Sequence, residues 1–279
     1  MNLAARYSDP GLATSCIRIL SSRRSALSPF HYEALLAAYA GSNDLRTSCR
    51  ILTIMTKAGL EPDSATTRPI YLYLRQDPSL PLKAWDILQD MYDNGHVVPI
   101  AAANVVIEAC VMNGKLDEAV ELYKQIHKIC ETGPNTQTFN VILQGASRTK
   151  EKDFGMFIAS EMRALGINAD HLTYDRLILI CAKAEDYEDA FLYLEEMIKV
   201  GADRVDNGQK GWWMRGGTAS HLVRRCVLAR DNRAWQLLGE MDERGISTER
   251  LRVWVAQTWK DEQTVGTVGF EEMVRRAAM

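Results

Sequence analysis

Residues 187–197 have the sequence YEDAFLYLEEM, and the offsets between Ala190, Leu194 and Met197 place these three side chains on one stripe of a helix. Residues three, four and seven positions apart share a face because an α-helix turns once in about 3.6 residues. Two further segments have the same form, namely LDEAVELYKQI at 116–126 and RAWQLLGEM at 233–241. The chain therefore repeats one amphipathic helix.

The recurrence has a period of about 35 residues, which is typical of repeat proteins. A small residue recurs at seven positions with spacings of 35, 36, 35, 36, 35 and 44, namely Ala13, Ser48, Ala84, Ala119, Gly155, Ala190 and Ala234. A large apolar residue follows each of them seven positions later, at Leu20, Met55, Met91, Ile126, Met162, Met197 and Met241. Agreement at two linked positions in all seven copies indicates a true internal repeat.

The end of each repeated helix is also marked. A glycine follows the large apolar residue by four positions and predicts a left-handed helix terminus at Gly59, Gly95, Gly166, Gly201 and Gly245. A second apolar stretch then begins, as in TFNVILQGA at 138–146. Each repeat is thus predicted to be a helix-turn-helix hairpin. Because neither helix can bury its stripe alone, neighbouring hairpins must stack, and the fold class is predicted to be all-α.

The spacing also predicts how the chain is divided. Five repeats are expected within 30–206, with boundaries at 30–64, 65–100, 101–136, 137–171 and 172–206. Met1 falls inside what would be a first helix, so residues 1–29 are expected to be a partial repeat. The spacing of 44 predicts nine extra residues between repeats. The remaining expected segments are this insertion at 207–215, a degenerate repeat at 216–250, and C-terminal capping helices or a tail at 251–279.

The 279-residue chain has a formal net charge of −3, which is unevenly distributed. Residues 1–30 carry +3 and residues 204–279 carry +3, with 13 basic against 10 acidic side chains, so residues 31–203 carry −9. Basic ends around an acidic middle are compatible with an RNA partner without requiring one. No apolar stretch approaches the 18 or so residues of a membrane span, so no membrane span is expected.

The sequence contains no motif for catalysis, a metal or a cofactor. The six cysteines never form a CxxC pair, which predicts free thiols in a reducing compartment and no metal site. GWWMRGGT at 211–218 has the glycine spacing of a phosphate loop, but Gly217 occupies the place of the required lysine. The chain is therefore predicted not to be an enzyme. Trp212 and Trp213 could stack on bases, or pack or dock on protein, and the sequence leaves both alternatives open.

The 35-residue period, the terminal glycines, and PD or PN followed by TFN or TYD resemble the pentatricopeptide repeat family over residues 1–250. The related tetratricopeptide repeat has a different period and signature. The resemblance implies a right-handed α-solenoid of stacked hairpins. It also implies that the first helices line a concave groove and that this groove binds single-stranded RNA at about one base per repeat.

The resemblance further implies which residues select each base. A polar residue near the start of the first helix acts together with the last Asp or Asn of the same repeat. The first kind falls on Glu33, Arg68, Asn104, Asn140 and Asp175. The second falls on Asp63, Asn135 and Asp170, with Pro99 and Val205 in the two other repeats. The family pattern implies uracil for Asn140 with Asp170 and a pyrimidine for Asn104 with Asn135. Helix capping is the alternative role for Asn104 and Asn140.

Two functions follow as hypotheses. The first is binding of single-stranded RNA in mitochondria, in the matrix, with a role in RNA processing, rRNA maturation, stability or translation. The alternative is a protein-interaction scaffold, such as a subunit or assembly factor on the mitochondrial ribosome or a partner of RNA-processing proteins. RNA binding predicts basic or amide-rich side chains on the exposed face of the first helices, whereas scaffolding predicts an apolar patch there or at the N-terminal edge.

Overall fold

The computed structural model describes residues 1–23, 26–206 and 209–261, and these contain fifteen α-helices and one pair of two-residue strands. The all-α prediction is confirmed. Of the segment predicted to be C-terminal capping helices or a tail at 251–279, residues 262–279 lie outside the described residues. No helix in the described part of the chain is long and apolar enough to cross a bilayer. The helices are α1 (Asn2–Arg6), α2 (Pro10–Ser22), α3 (Pro29–Gly41), α4 (Leu45–Lys57), α5 (Ser64–Leu74), α6 (Leu80–Asp93), α7 (Ile100–Met112), α8 (Leu116–Ile129), α9 (Thr136–Thr149), α10 (Lys152–Ala164), α11 (His171–Lys183), α12 (Tyr187–Gly201), α13 (Gly216–Leu228), α14 (Arg233–Glu243) and α15 (Glu249–Asp261).

The helices form hairpins in which odd-numbered helices come first and even-numbered helices second. A first helix typically packs against its own second helix and against the first helix of the next hairpin, and the helices with both contacts are α1, α3, α5, α11 and α13. The chain divides into two compact units, Met1–Gly145 and Ala146–Met279, with the division inside α9. Within each unit the hairpins follow one another in chain order.

The repeated stripe forms the core, as the sequence predicts. All seven small residues of the repeat are buried. Six of the seven large apolar residues are at most 2% exposed, and Leu20 in the first hairpin is half-buried. The small residue permits close approach, because a Cβ added at Gly155 would lie 3.0 Å from Ile180 Cδ1. The stripe is the apolar surface that is removed from water when neighbouring hairpins stack, and this burial stabilises the fold.

Four of the five predicted helix terminators adopt the left-handed conformation. Gly59, Gly95, Gly166 and Gly245 have φ angles between 67° and 77°, a conformation that glycine adopts readily because it has no Cβ. The prediction for Gly201 is wrong. Gly201 is the last residue of α12, and a Cβ there would lie 2.3 Å from Cβ of Trp212. Gly201 is therefore a site of close packing against the segment that follows α12.

That segment contains strands β1 (Val205–Asp206) and β2 (Gln209–Lys210), which pair antiparallel. The chain then enters the core of the second unit, where Trp213 is 6% exposed. Trp212 is half-buried against the same core and lies over Gly201. Packing, rather than stacking on bases, is thus the role of Trp213.

Candidate nucleic-acid interface

The residues predicted to begin each base site share one position in the first helices. Each is the fifth residue of its helix, namely Glu33 in α3, Arg68 in α5, Asn104 in α7, Asn140 in α9 and Asp175 in α11. A residue five positions into a helix cannot be its N-cap. Capping of their own helices is therefore excluded as the role of Asn104 and Asn140.

The second predicted set does cap helices. Asp63, Asn135 and Asp170 immediately precede α5, α9 and α11. In each case a side-chain oxygen accepts a hydrogen bond from a backbone N–H three residues later, which satisfies one of the unpaired donors at a helix start. The N–H groups and donor–acceptor distances are Thr66 at 2.8 Å, Thr138 at 3.1 Å and Thr173 at 2.8 Å.

The structure joins Asn104 to Asn135 through a buried hydrogen-bond network. Asn104 Nδ2 donates to Asn135 Oδ1 at 3.1 Å. The Thr138 hydroxyl accepts from the Asn135 N–H at 3.0 Å and donates to Asn104 Oδ1 at 2.7 Å. Asn104 is 1% exposed and Thr138 is fully buried. The fifth residue of α7 is thereby held against the residue that precedes α9. We call two residues at these positions a recognition pair.

The network determines which group Asn135 can present. Its Oδ1 accepts from both the Thr138 N–H and Asn104 Nδ2, and these donors require oxygen at that end of the amide. The Asn135 Nδ2 group remains as a donor. Asn135 lines a cavity of about 340 Å³ together with Pro99, Ala101 and Gln137. This volume is at the lower end of the range of about 300–1,000 Å³ for small-ligand sites.

The two other predicted pairs of the first unit, Glu33 with Asp63 and Arg68 with Pro99, are less suited to binding a base. No hydrogen bond joins Glu33 to Asp63 in the described chain. Hydrogen bonds from the hydroxyl and the N–H of Thr66 lower the pKa of Asp63, so this exposed side chain is a carboxylate at neutral pH and repels phosphate. Arg68 is exposed, but Pro99 has no polar side-chain group to act beside it.

In the second unit, Asp170 caps α11 and forms a capping box with Thr173. Asn140, its predicted partner, is buried in the first unit.

Asp175 has a different partner from the one predicted. Val205 lies in β1 and is 71% exposed. Asp175 is buried, and its Oδ1 accepts from the N–H of Arg215 at 2.7 Å. Arg215 immediately precedes α13, so the insertion moves this position ten residues along the chain. The sequence carries a signal for Arg215 that the 35-residue period does not reveal, because Thr218 follows it by three residues as Thr138 follows Asn135.

The exposed face of the first helices is basic in the second unit. The side chains of α11 that reach solvent one turn apart are Leu172, Arg176, Leu179 and Lys183, and the corresponding positions of α13 are Gly217, His221, Arg224 and Leu228. Neither helix has an exposed acidic side chain. This electropositive surface suits a polyanion.

The electrostatic environment of two of these groups shows that the positive charges lie close together. Burial lowers the pKa of Lys183, and the positive charges of Lys150 and Arg148 lower it further. Burial also lowers the pKa of His221, with further contributions from Lys183, Arg224 and Arg225. No acidic side chain contributes to the lowered pKa of either Lys183 or His221. Lys183 also donates to the Ser147 carbonyl at 2.8 Å, which holds its ammonium group at the end of α9.

The corresponding face of α3 and α5, in the first unit, is largely apolar. Phe30 is 58% exposed and Leu72 is 51% exposed. We compare the positions that correspond to Leu172, Arg176, Leu179 and Lys183 of α11, counted from the first residue of each helix. In α3 these are Phe30, Ala34, Ala37 and Gly41, and counted from the start of α5 they are Ala65, Pro69, Leu72 and Gln76. The two units therefore expose different chemistry at the same register.

Comparison with known proteins agrees with the repeat. A family model described as "Pentatricopeptide repeat-containing protein" matches residues 1–126, and one described as "Pentatricopeptide repeat domain" matches residues 157–203. Together they cover more than half of the chain. The chain belongs to the pentatricopeptide repeat family.

Individual relatives are distant from this pentatricopeptide repeat protein. It is 23% identical to the mitochondrial pentatricopeptide repeat-containing protein At1g26460 of Arabidopsis thaliana, over 82% of this chain and 37% of the relative. It is 22% identical to the mitochondrial 15S rRNA processing factor CCM1 of Candida albicans, over 65% of this chain and 24% of the relative. The crystal structure of PPR10 from maize aligns with a TM-score of 0.49 at 18% identity, over 99% of this chain and 37% of that chain. The chain thus spans well under half the length of these relatives.

Proposed function

We propose that this pentatricopeptide repeat protein binds single-stranded RNA through its first helices, in mitochondria, and acts in RNA processing, rRNA maturation, stability or translation. It would act by binding RNA, with no catalytic activity and with no need for a cofactor or a metal ion. The observation that carries the proposal is the Asn104–Asn135 recognition pair beside a cavity. The remaining predicted positions, Glu33, Arg68, Asp63, Asn140, Asp170 and Asp175, stay predictions for neighbouring bases.

The recognition pair has the chemistry that a base site needs. Asn135 lines the cavity, and a carbonyl oxygen or ring nitrogen of a base bound there can accept from its Nδ2 donor. The hydrogen bond from Asn104 fixes the Asn135 amide before RNA binds, so little side-chain entropy of Asn135 is lost on binding. The preference of this pair for a pyrimidine remains what the family resemblance implies.

Charge in the second unit supports an RNA ligand independently of the amide pair. Arg176, Lys183 and Arg224 can contact backbone phosphates, which supply most of the sequence-independent affinity for nucleic acids. The names of two relatives support the proposed location and process. CCM1 is a mitochondrial rRNA processing factor, and At1g26460 is mitochondrial.

Substitution of Asn135 by Asp tests this proposal. Asn135→Asp retains an oxygen that can cap α9 and accept from Asn104, but it removes the Nδ2 donor. We expect affinity for a random-sequence single-stranded RNA pool to fall about tenfold or more, which corresponds to about 1.4 kcal/mol. The measurement is a filter-binding or fluorescence-anisotropy titration.

Asp44→Asn is the matched control, because it makes the reverse exchange at the cap of a second helix, α4, outside the predicted base sites; there Asp44 Oδ1 accepts from the Thr47 N–H at 2.9 Å. We expect it to leave affinity unchanged. Wild-type protein that does not bind the pool would overturn the proposal, and so would an Asn135→Asp variant that binds as tightly as wild type.

The apolar face of the first unit favours a second candidate function, a protein-interaction scaffold. Exposed Phe30 and Leu72 are suited to a protein partner, such as a mitochondrial ribosomal protein, more than to phosphate. Crosslinking in intact mitochondria separates the two functions. Recovery of stoichiometric protein partners without RNA would favour the scaffold.

A further inference from the structure

Because of the insertion, the 35-residue period alone does not identify the residue that precedes α13, which is Arg215. In three repeats a helix cap is followed by threonine at the third position, and the fifth residue of the helix follows two positions later, as in Asn135, Thr138 and Asn140. Arg215, Thr218 and Ser220 have the same spacing at the start of α13. Thr218 is buried, as Thr138 is. Arg215 is therefore the register equivalent of Asn135.

Contacts support the same equivalence. Asn135 contacts the fifth residue of α7, and Arg215 contacts the fifth residue of α11, because its N–H donates to Asp175 Oδ1 at 2.7 Å. Asp175 is 4% exposed. Asp175 and Arg215 form a recognition pair in which the backbone makes the internal hydrogen bond and the side chain of the second residue is left for other partners.

The backbone at Arg215 is held in place before any ligand binds. His171, the first residue of α11, donates from Nε2 to the carbonyl of Trp213. Trp213 itself is buried, and the guanidinium of Arg244 lies 5.3 Å from the centre of its ring. The segment is thus fixed to α11 at two points, His171 and Asp175. A rigid attachment reduces the entropy cost of a contact made by the next side chain.

The side chain of Arg215 is available. It is exposed, and its guanidinium forms no hydrogen bond or ion pair with any residue that the structure describes. A guanidinium has five N–H donors in a planar fork and no acceptor. Its best partner on a base is an edge with two adjacent acceptors.

We propose that Arg215 is the second residue of the Asp175 recognition pair and contacts a base with two adjacent acceptors, which is guanine through O6 and N7 or cytosine through O2 and N3. This inference rests on the proposed RNA-binding function. Arginine binds guanine O6 and N7 in a bidentate manner when it contacts base edges. Uracil and adenine match the fork poorly, because each places an N–H donor beside its acceptor.

Selection from a random-sequence single-stranded RNA pool tests the inference. With wild-type protein we expect guanine or cytosine to be enriched at one position of the bound sequences, and the identity of the enriched base distinguishes the two edges. With Arg215→Ala we expect that enrichment to disappear while enrichment at other positions persists. Arg215→Lys keeps the charge without the fork, and we expect it to lose the enrichment as well.

Arg204→Ala is the matched control, since Arg204 is an exposed arginine shortly before the insertion and outside the pair. We expect Arg204→Ala either to leave affinity unchanged or to lower it by the same factor for all RNA sequences. Both Arg215 variants keep the backbone N–H that bonds Asp175, and a thermal melt equal to that of wild type checks their folding. Arg215→Ala that lowers affinity without altering any base frequency would identify a phosphate contact and overturn the inference. Unchanged selection would overturn it too, while the proposed function would stand. Absence of RNA binding by wild type would overturn both.

Discussion

Asn135 performs two tasks with the two ends of one side chain. Its oxygen caps α9 and accepts from Asn104, which leaves its nitrogen as a donor in a residue that lines the cavity. A cap accepts either Asp or Asn, because both supply the required oxygen. The other atom of the side chain can then differ between repeats without loss of helix stability. If these positions select bases as proposed, the preference can change there while the fold is retained.

The Thr138 hydroxyl should contribute measurably to stability. Thr138→Val removes the donor to Asn104 Oδ1 and the acceptor of the Asn135 N–H, and it leaves two polar groups unsatisfied in the interior. We expect the free energy of unfolding to fall by about 1–3 kcal/mol. Urea denaturation followed by circular dichroism measures the change.

Thr66→Val is the control for this substitution. Thr66 is as buried as Thr138, but its hydroxyl contacts Asp63, whose exposed carboxylate can bind water instead. We expect it to cost under about 1 kcal/mol. Equal losses in the two variants would show that the network with Asn104 adds nothing beyond a helix cap.

The junction between α12 and the inserted segment shows how one element adapts a repeat. The insertion adds residues after α12, and Trp212 occupies the space next to Gly201. The terminal glycine of this repeat therefore remains helical, while Gly245 in the next repeat has the usual left-handed conformation. Glycine is needed at both positions for different reasons, close packing at one and backbone conformation at the other.

Two glycine substitutions test this assignment. Gly201→Ala places a Cβ 2.3 Å from Cγ of Trp212, so we expect a loss of about 1–3 kcal/mol in the free energy of unfolding. Gly239 lies inside α14, and a Cβ there meets nothing within 4 Å. We expect Gly239→Ala to stabilise the protein by about 0.4–1 kcal/mol. Thermal unfolding monitored by tryptophan fluorescence gives both values. A Gly201→Ala variant as stable as wild type would show that Trp212 is not packed there.

At the scale of the whole molecule, the sequence predicts what repeats and misses what interrupts the repeat. The stripe from Ala190 to Met197 recurs in every hairpin, so the helices and their core follow from periodicity alone. The resemblance also pairs Asn104 with Asn135, and a hydrogen bond joins the two side chains in the structure. Arg215 and Gly201 were missed because an insertion's length does not show where the chain rejoins the stack. The Thr138 link was missed because spacing does not specify hydrogen-bond partners.

The two units divide the proposed task between them. The first unit holds the Asn104–Asn135 recognition pair and an apolar face, and the second holds the basic face and the Asp175–Arg215 pair. Base selection is thus expected in both units, while salt-dependent phosphate contacts are expected mainly in the second.

Cysteine reactivity reports whether the stacked hairpins are closed in solution. Cys16 is half-buried, whereas the other five cysteines are buried free thiols. Burial raises the pKa of Cys49, Cys110, Cys130, Cys181 and Cys226 to about 12. The thiolate is the reactive form, so a thiol of this pKa in a closed core is unreactive at neutral pH.

We therefore expect a maleimide reagent at pH 7 to modify one cysteine in the native protein and all six in urea, as measured by intact mass. Cys16→Ser should leave the native protein unmodified, and this variant identifies the reactive site. Fast labelling of Cys110 or Cys181 in the native protein would mean that the hairpins open locally, since each thiol is fully buried in the stack. Slow labelling at a common rate would instead report unfolding of a whole unit. The distribution of labels along the chain thus distinguishes repeats that open singly from a unit that opens as one.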